Sequence, residues 1–215
     1  CNASIILSDS FFNPKDNIKN INLSNEDNYN QKENENPLSL ANSNNLACLI
    51  YTSGSSGEPK GIKLSHKNLI NQAYYRVKLY NIKNNDIVSQ NRPFGFVASI
   101  WIYLAPLFTG SKIIIYPDDF IKDIKRFLNK VIDDKVTILT VPATILRVND
   151  NNIKKSIDNL FKKSNLKVLT FGGESMPINY INQFKLSNDK IKTEVYNTYG
   201  QSECSNDTLH FKINS

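Results

Sequence analysis

Early in the chain, Ser53-Gly54-Ser55-Ser56-Gly57-Glu58-Pro59-Lys60-Gly61 packs three glycines, three hydroxyls and one lysine into nine residues. Glycines let a backbone turn with its N–H groups exposed, serine hydroxyls add donors and a lysine supplies charge, so the composition is that of a cradle for a polyphosphate. A flexible Ser/Gly turn has the same composition. The stretch is not the phosphate loop of P-loop NTPases, which needs Gly-Lys followed by Ser or Thr, whereas Gly57 is followed by Glu58-Pro59. Two later segments carry complementary groups. Phe171-Gly172-Gly173-Glu174-Ser175-Met176-Pro177 sets paired glycines where a flat ring can approach the backbone. Tyr196-Asn197-Thr198-Tyr199-Gly200-Gln201-Ser202-Glu203-Cys204 offers an aromatic face for a purine, a hydroxyl for a phosphate and a hard carboxylate oxygen for magnesium. Tyr199 suits a packed core equally well.

These segments follow runs rich in Ile, Val, Leu and Tyr. Residues Ala47 to Thr52, Lys112 to Tyr116, Val136 to Val141, Lys167 to Phe171 and Thr193 to Tyr196 read as buried strands. Ser65 to Tyr80, Ala98 to Phe108, Phe120 to Ile132 and Asn152 to Lys163 space their apolar residues by three and four, which predicts helices. Strands alternating with helices imply an α/β fold with a mostly parallel sheet flanked by helices, whose ligands bind beyond the carboxyl ends of the strands. Ser65 reads as the N-cap of its helix, and His66 as part of the helix start rather than as a catalytic base, since no acidic or nucleophilic partner lies nearby in sequence. Residues 13–45 are dominated by Asn, Lys, Glu, Asp and Ser and read as a variable polar loop ahead of a motif-bearing core over 46–215.

With 215 residues, 40% of them hydrophobic and 10% aromatic, the chain can bury a substantial core. Cys1, Cys48 and Cys204 lie far apart, which argues against disulfides and structural zinc and places the chain in a reducing cytoplasm. No apolar stretch is long enough to cross a membrane. The net charge of +6 comes from lysines scattered among Asn, Asp and Glu rather than gathered in a block, so no nucleic-acid partner is expected; an anionic ligand such as a nucleotide would still be drawn in. The chain opens on Cys1 without Met or a signal-peptide start, and further residues are expected upstream.

The string Tyr51 to Gly61 closely resembles the signature loop of the adenylate-forming superfamily: acyl-CoA synthetases, luciferases and the adenylation domains of nonribosomal peptide synthetases. Phe171 to Pro177 resembles its G-G-E-x-x-P segment, and Asn197 to Glu203 its N-x-Y-G-x-T-E motif, with Gln201 in place of the usual Pro and Ser202 in place of Thr. The motifs stand in family order over about Ala47 to Leu209. The resemblance implies part of the large N-terminal lobe of that fold. It also implies ATP and Mg2+ as cofactors and activation of a small carboxylic acid as an acyl-adenylate for a phosphopantetheine carrier protein or CoA. By resemblance, Thr52, Ser53, Gly54, Ser55, Ser56, Gly57 and Lys60 hold the leaving pyrophosphate. Gly172, Gly173, Glu174, Asn197, Thr198, Tyr199 and Gly200 line the adenine side, Ser202 meets the α-phosphate and Glu203 the magnesium. Thr52, Lys60 and Glu203 are the expected catalytic residues. The family's early motif region, its ribose-binding Asp and its C-terminal lobe with the catalytic Lys are not found between Cys1 and Ser215, so these residues alone are expected to bind ATP weakly at most. An acyl-CoA ligase fragment and a truncated, non-catalytic nucleotide-binding protein are the alternatives.

Phe94 to Trp101 resembles the F-D-x-S-x-W segment of peptide synthetases, with Ser99 and Trp101 fixing the register and Val97 replacing the Asp that pairs with an α-ammonium. No acidic residue lies between Asp86 and Asp118 to stand in for it. A buried ammonium without a carboxylate is costly. The expected substrate therefore lacks an ordinary α-amine, as aryl, keto, hydroxy and fatty acids do, or is a β-amino acid whose amine reaches Asp207. Asp207 facing solvent is an equal reading. Val97, Ala98, Trp101, Thr170, Gly172, Thr198, Asn206 and Asp207 are the expected substrate-pocket residues by resemblance.

Overall fold

Alternation of side chains on three central strands organises the fold. In a computed structural model, which describes residues 4–9, 18–28, 30, 36, 38–52, 57–186 and 192–214, the chain divides into two units, Cys1–Ala41 and Asn42–Ser215. In the first unit, β1 (Ile5–Ser8) pairs in parallel with β2 (Lys19–Asn22). The polar stretch read as loop over 13–45 thus contains a strand. Its Lys-Asn-Ile-Asn sequence has one apolar residue, too few to signal a period, and backbone pairing with β1 defines it instead.

In the second unit β3 (Leu46–Thr52) and β4 (Lys60–Ser65) form a two-stranded antiparallel ribbon. The strand expected at Ala47 to Thr52 therefore lies outside the parallel sheet. The strands on either side of the glycine- and serine-rich stretch pair with each other, so β3 is followed by β4 and not by a helix. The main sheet has the order β10, β9, β8, β7, β5, β6, built from β5 (Ile87–Gln90), β6 (Lys112–Ile115), β7 (Ile138–Pro142), β8 (Val168–Gly172), β9 (Glu194–Gln201) and β10 (Asn206–Lys212). Its pairings are parallel except that β10 runs antiparallel to β9.

Helix α1 (His66–Leu79) starts where expected: the Ser65 hydroxyl accepts the Asn68 N–H at 3.3 Å, and the Asn68 side-chain oxygen accepts the Ser65 N–H at 3.1 Å. Helix α2 (Val97–Thr109) ends on Gly110 in the left-handed region, φ 68°. The single helix expected over Phe120 to Ile132 is two, α3 (Asp118–Lys122) and α4 (Ile124–Asp133). Asp123 breaks them because its carboxylate caps the Arg126 N–H at 3.0 Å and its backbone leaves the helical region. Helix α5 (Asn151–Lys163) is capped by Asp150, and α6 (Ile178–Leu186) fills the β8 to β9 crossover.

The strands are covered on both faces. Leu139, Val141, Leu169, Phe171 and Val195 join residues of α4 and α5 in one core cluster. Ile138, Val168 and Tyr196 pack with Ala73, Trp101 and Ile102 of α1 and α2 in another. Along that second face the period of two then turns polar: Ile138 leads to Thr140, Val168 to Thr170 and Gly172, Tyr196 to Thr198 and Gly200. The apolar core gives way to hydroxyls and glycines at the carboxyl ends of the strands.

Candidate active site

A cavity of about 420 Å³ opens there, within the usual range for small-molecule sites. The ribbon contributes Ile50, Tyr51 and Thr52; the approach to α2 contributes Arg92, Gly95, Phe96, Val97 and Ala98. The sheet supplies Thr140, Gly172, Thr198 and Gly200, and the β9 to β10 turn supplies Ser202, Asn206 and Asp207. One hollow thus joins the start of the first motif to the third and to the acid-pocket residues.

Two glycines make the wall possible. A Cβ on Gly172 would sit 2.4 Å from the Thr198 hydroxyl, and one on Gly200 would sit 2.3 Å from the Asn206 carbonyl oxygen and 2.3 Å from the Asp207 Cα. The second approach is enforced by a bulge between Asp207 and Leu209 and by Ser205 and Asn206 at φ 64° and 112°, conformations side chains seldom adopt. That distortion brings Asn206 and Asp207 to the cavity.

Of the other residues expected at the site, Thr170 stands one layer back, donating to the Thr140 hydroxyl at 2.9 Å. Trp101 is core rather than cavity wall: it is buried against Tyr80, with the Arg76 guanidinium 5.0 Å from its ring centre. Its place in a buried helix turn, not the chemistry of a ligand, accounts for its position. Glu174 is half exposed and 3.9 Å from Arg147. Tyr199 and Glu203 are exposed, and neither they nor Asn197 line the cavity. Lys60 faces Thr52 across the ribbon ladder, at the mouth of the hairpin; Gly57 has φ 84°, and Ser53, Gly54, Ser55 and Ser56 lie outside the described residues. Among the described residues no three His, Cys, Asp or Glu side chains converge as a metal cluster.

Sequence reasoning missed Arg92 and Thr140. Thr140 is signalled by the polar break in an apolar strand, but Arg92 has no motif to mark it. Sequence reasoning also missed what holds Asp207. The fully buried Arg76 lies 3.6 Å from the Asp207 carboxylate and donates to its backbone carbonyl at 3.2 Å, while the Gln72 side chain donates to the Cys204 carbonyl at 3.1 Å. Helix α1 therefore ties down the turn that carries the third motif. Burial pushes the Arg76 guanidinium below its usual range, and Asp207 partly offsets this. Burial likewise pulls Arg92 down, with Asp207 opposing. His210 accepts or donates at Tyr80 Oη over 3.1 Å and is lowered to about 4, first by burial and then by Arg76, so it stands neutral behind the site.

The model of the AMP-binding enzyme family matches residues 4–214. The chain belongs to the AMP-binding enzyme family. Among curated AMP-binding relatives, gramicidin S synthase 2 of Brevibacillus brevis is 30% identical over 192 residues, covering 87% of this chain and 4% of that protein. The N-terminal subdomain of Klebsiella oxytoca NpsA in complex with 3-hydroxybenzoyl-AMSN superposes with a TM-score of 0.80 at 20% identity, covering 99% of this chain and 51% of that one. NpsA-ThdA, an artificially fused adenylation-PCP di-domain from the same organism, gives 0.79 at 20% identity, covering 99% and 41%. The chain thus spans about half of the solved subdomain and a small part of the synthase. Its fold is that of the N-terminal subdomain of adenylation domains, and family membership implies ATP use.

Proposed function

We propose that the protein carrying this chain activates a carboxylic acid without an ordinary α-amine as its acyl-adenylate and passes the acyl group to a carrier-protein thiol. The observation that carries this reading is the single hollow shared by Thr52, Ser202 and the acid-side residues Val97, Thr198 and Asn206. In the reaction, a substrate carboxylate oxygen forms a bond to the α-phosphorus of ATP while the bond to the β-phosphate bridge breaks and pyrophosphate leaves. The carrier thiolate then attacks the acyl carbon and AMP departs. Catalysis is positioning and charge neutralisation, with no protein nucleophile. Thr52 and the hairpin ending at Lys60 attend the pyrophosphate, Ser202 the α-phosphate, and Tyr199, beside the cavity-lining Gly200, the adenine. Glu203, a single exposed carboxylate, suits an Mg2+ ion whose other ligands are phosphate oxygens and water. The ion would neutralise the leaving pyrophosphate.

Val97 supports an amine-free acid, since it puts a hydrocarbon at the cavity wall, and the pairing of Asp207 with Arg76 argues against Asp207 as an amine acceptor. The fused adenylation-PCP neighbour supports a carrier protein as acceptor over CoA. The setting we propose is the reducing cytoplasm; among the described residues Cys48 and Cys204 are free and no helix is long and apolar enough to cross a membrane. ATP–pyrophosphate exchange by the purified protein across a panel of acids tests the reading. Exchange with amine-free acids is expected; a standard α-amino acid as best substrate overturns the amine-free assignment, and no exchange with any acid overturns acyl-adenylate formation.

A further inference from the structure

Two buried donors at the cavity lack partners. The Nε of Arg92 and the Nδ2 of Asn206 are both shielded from water and hydrogen-bonded to nothing among the described residues, and both residues line the same hollow. An unpaired buried donor is costly, so each of these side chains gains by turning towards an acceptor in the hollow, and a guanidinium is satisfied best by a carboxylate. Two further features favour a negative ligand. Helix α2 presents its N-terminus at the cavity through Val97 and Ala98, with no side-chain cap and no acidic residue in its first turn, so its positive end is uncompensated. Arg92 and Asp207 are the charged residues on the cavity wall among those described, and Asp207 is already engaged by Arg76 behind it. The charge left over is positive and belongs to Arg92.

Resting on the adenylation reading above, we infer that the substrate is a small dicarboxylic acid: one carboxylate reacts, and Arg92, with Asn206 and the N-terminus of α2, receives the other. Arg92 is then the specificity-determining residue, reading charge where Val97 has removed the site for an amine. The planar fork of its guanidinium allows two parallel hydrogen bonds to the distal carboxylate, which a hydroxyl or an alkyl end cannot accept.

Binding of two acyl-sulfamoyl adenosines to the purified protein tests this. In the succinyl analogue the distal group is a carboxylate, and in the 4-methylpentanoyl analogue an uncharged isopropyl group of similar size replaces it; neither carries a free reacting carboxylate. The succinyl analogue is expected to bind about ten- to a hundredfold tighter. Arg92→Met abolishes that preference and Arg92→Lys retains part of it, with urea unfolding curves checking that both variants are folded. Equal affinity of the native protein for the two analogues overturns the inference and leaves the adenylation reading standing. Equal weakening of both analogues by Arg92→Met, with Arg92→Lys behaving the same, also overturns it, because Arg92 would then serve the nucleotide or the fold. Failure of the native protein to bind ATP and either analogue removes the adenylation reading, and the inference with it.

Discussion

Replacing Arg76 with Met removes the charge that anchors the site while keeping most of the side-chain volume. In the native chain the guanidinium is fully buried, 3.6 Å from the Asp207 carboxylate, donating to the Gln72 carbonyl at 3.0 Å and the Asp207 carbonyl at 3.2 Å, and stacked 5.0 Å from the centre of Trp101. Its Nη1 also bonds the Gln72 side chain. Breaking a buried pair by removing one partner costs about 3–5 kcal/mol, because the survivor is left charged and desolvated. The Asp207 side chain is 15% exposed and can recover some hydration, so Arg76→Met is expected to cost about 3 kcal/mol. The double variant Arg76→Met, Asp207→Asn removes the stranded charge and should regain about 1–2 kcal/mol. Urea unfolding of native, single and double variants gives the coupling directly. A loss below about 1 kcal/mol for Arg76→Met, or strict additivity of the two substitutions, would refute the argument that this pair is desolvated and holds the turn.

The neutral His210 predicts an acid limb. Its value in the folded chain, about 4 against an ordinary 6.5, means the unfolded chain takes the proton first. Stability is therefore full above about pH 6.5 and declines as pH falls towards 4. After discounting for partial exposure the loss is about 2 kcal/mol, and His210→Phe should flatten that limb in a series of urea unfolding curves across pH. Gly200→Ala sets a Cβ 2.3 Å from the backbone of Asn206 and Asp207, neither of which can yield as a side-chain tip would. About 3 kcal/mol of stability and most ATP affinity should be lost, whereas unchanged denaturation and ATP titration curves would contradict the close β9 to β10 approach. Val97→Asp restores a carboxylate at the cavity wall beneath the α2 N-terminus. Pyrophosphate exchange should then shift towards amine-bearing acids by on the order of tenfold, and a variant with unaltered preference would show that residue 97 does not face the substrate.

What the sequence determined alone is what depends on near neighbours. Ser65 caps α1 within one turn, the apolar spacing of α2 and α5 places their boundaries within a residue or so, and the paired glycines of the second motif declare a backbone open to close approach before any sheet is known. The family and its likeness were legible for the same reason, since each motif is a contiguous string. Tertiary structure decided everything that needed a partner far along the chain. Leu46–Thr52 has the composition of a parallel strand, yet its partner is β4 and its ladder antiparallel, a choice made by pairing and not by propensity. The short β5 hides its place between β6 and β7 because Ser89 and Gln90 are polar though buried. Arg76 and Asp207 lie 131 residues apart, and Arg92 follows an inconspicuous strand; nothing local marks either arginine as facing the site. Periodicity reports which face of an element is apolar, but only packing determines which polar groups that face leaves buried together, and in this protein those groups make the cavity.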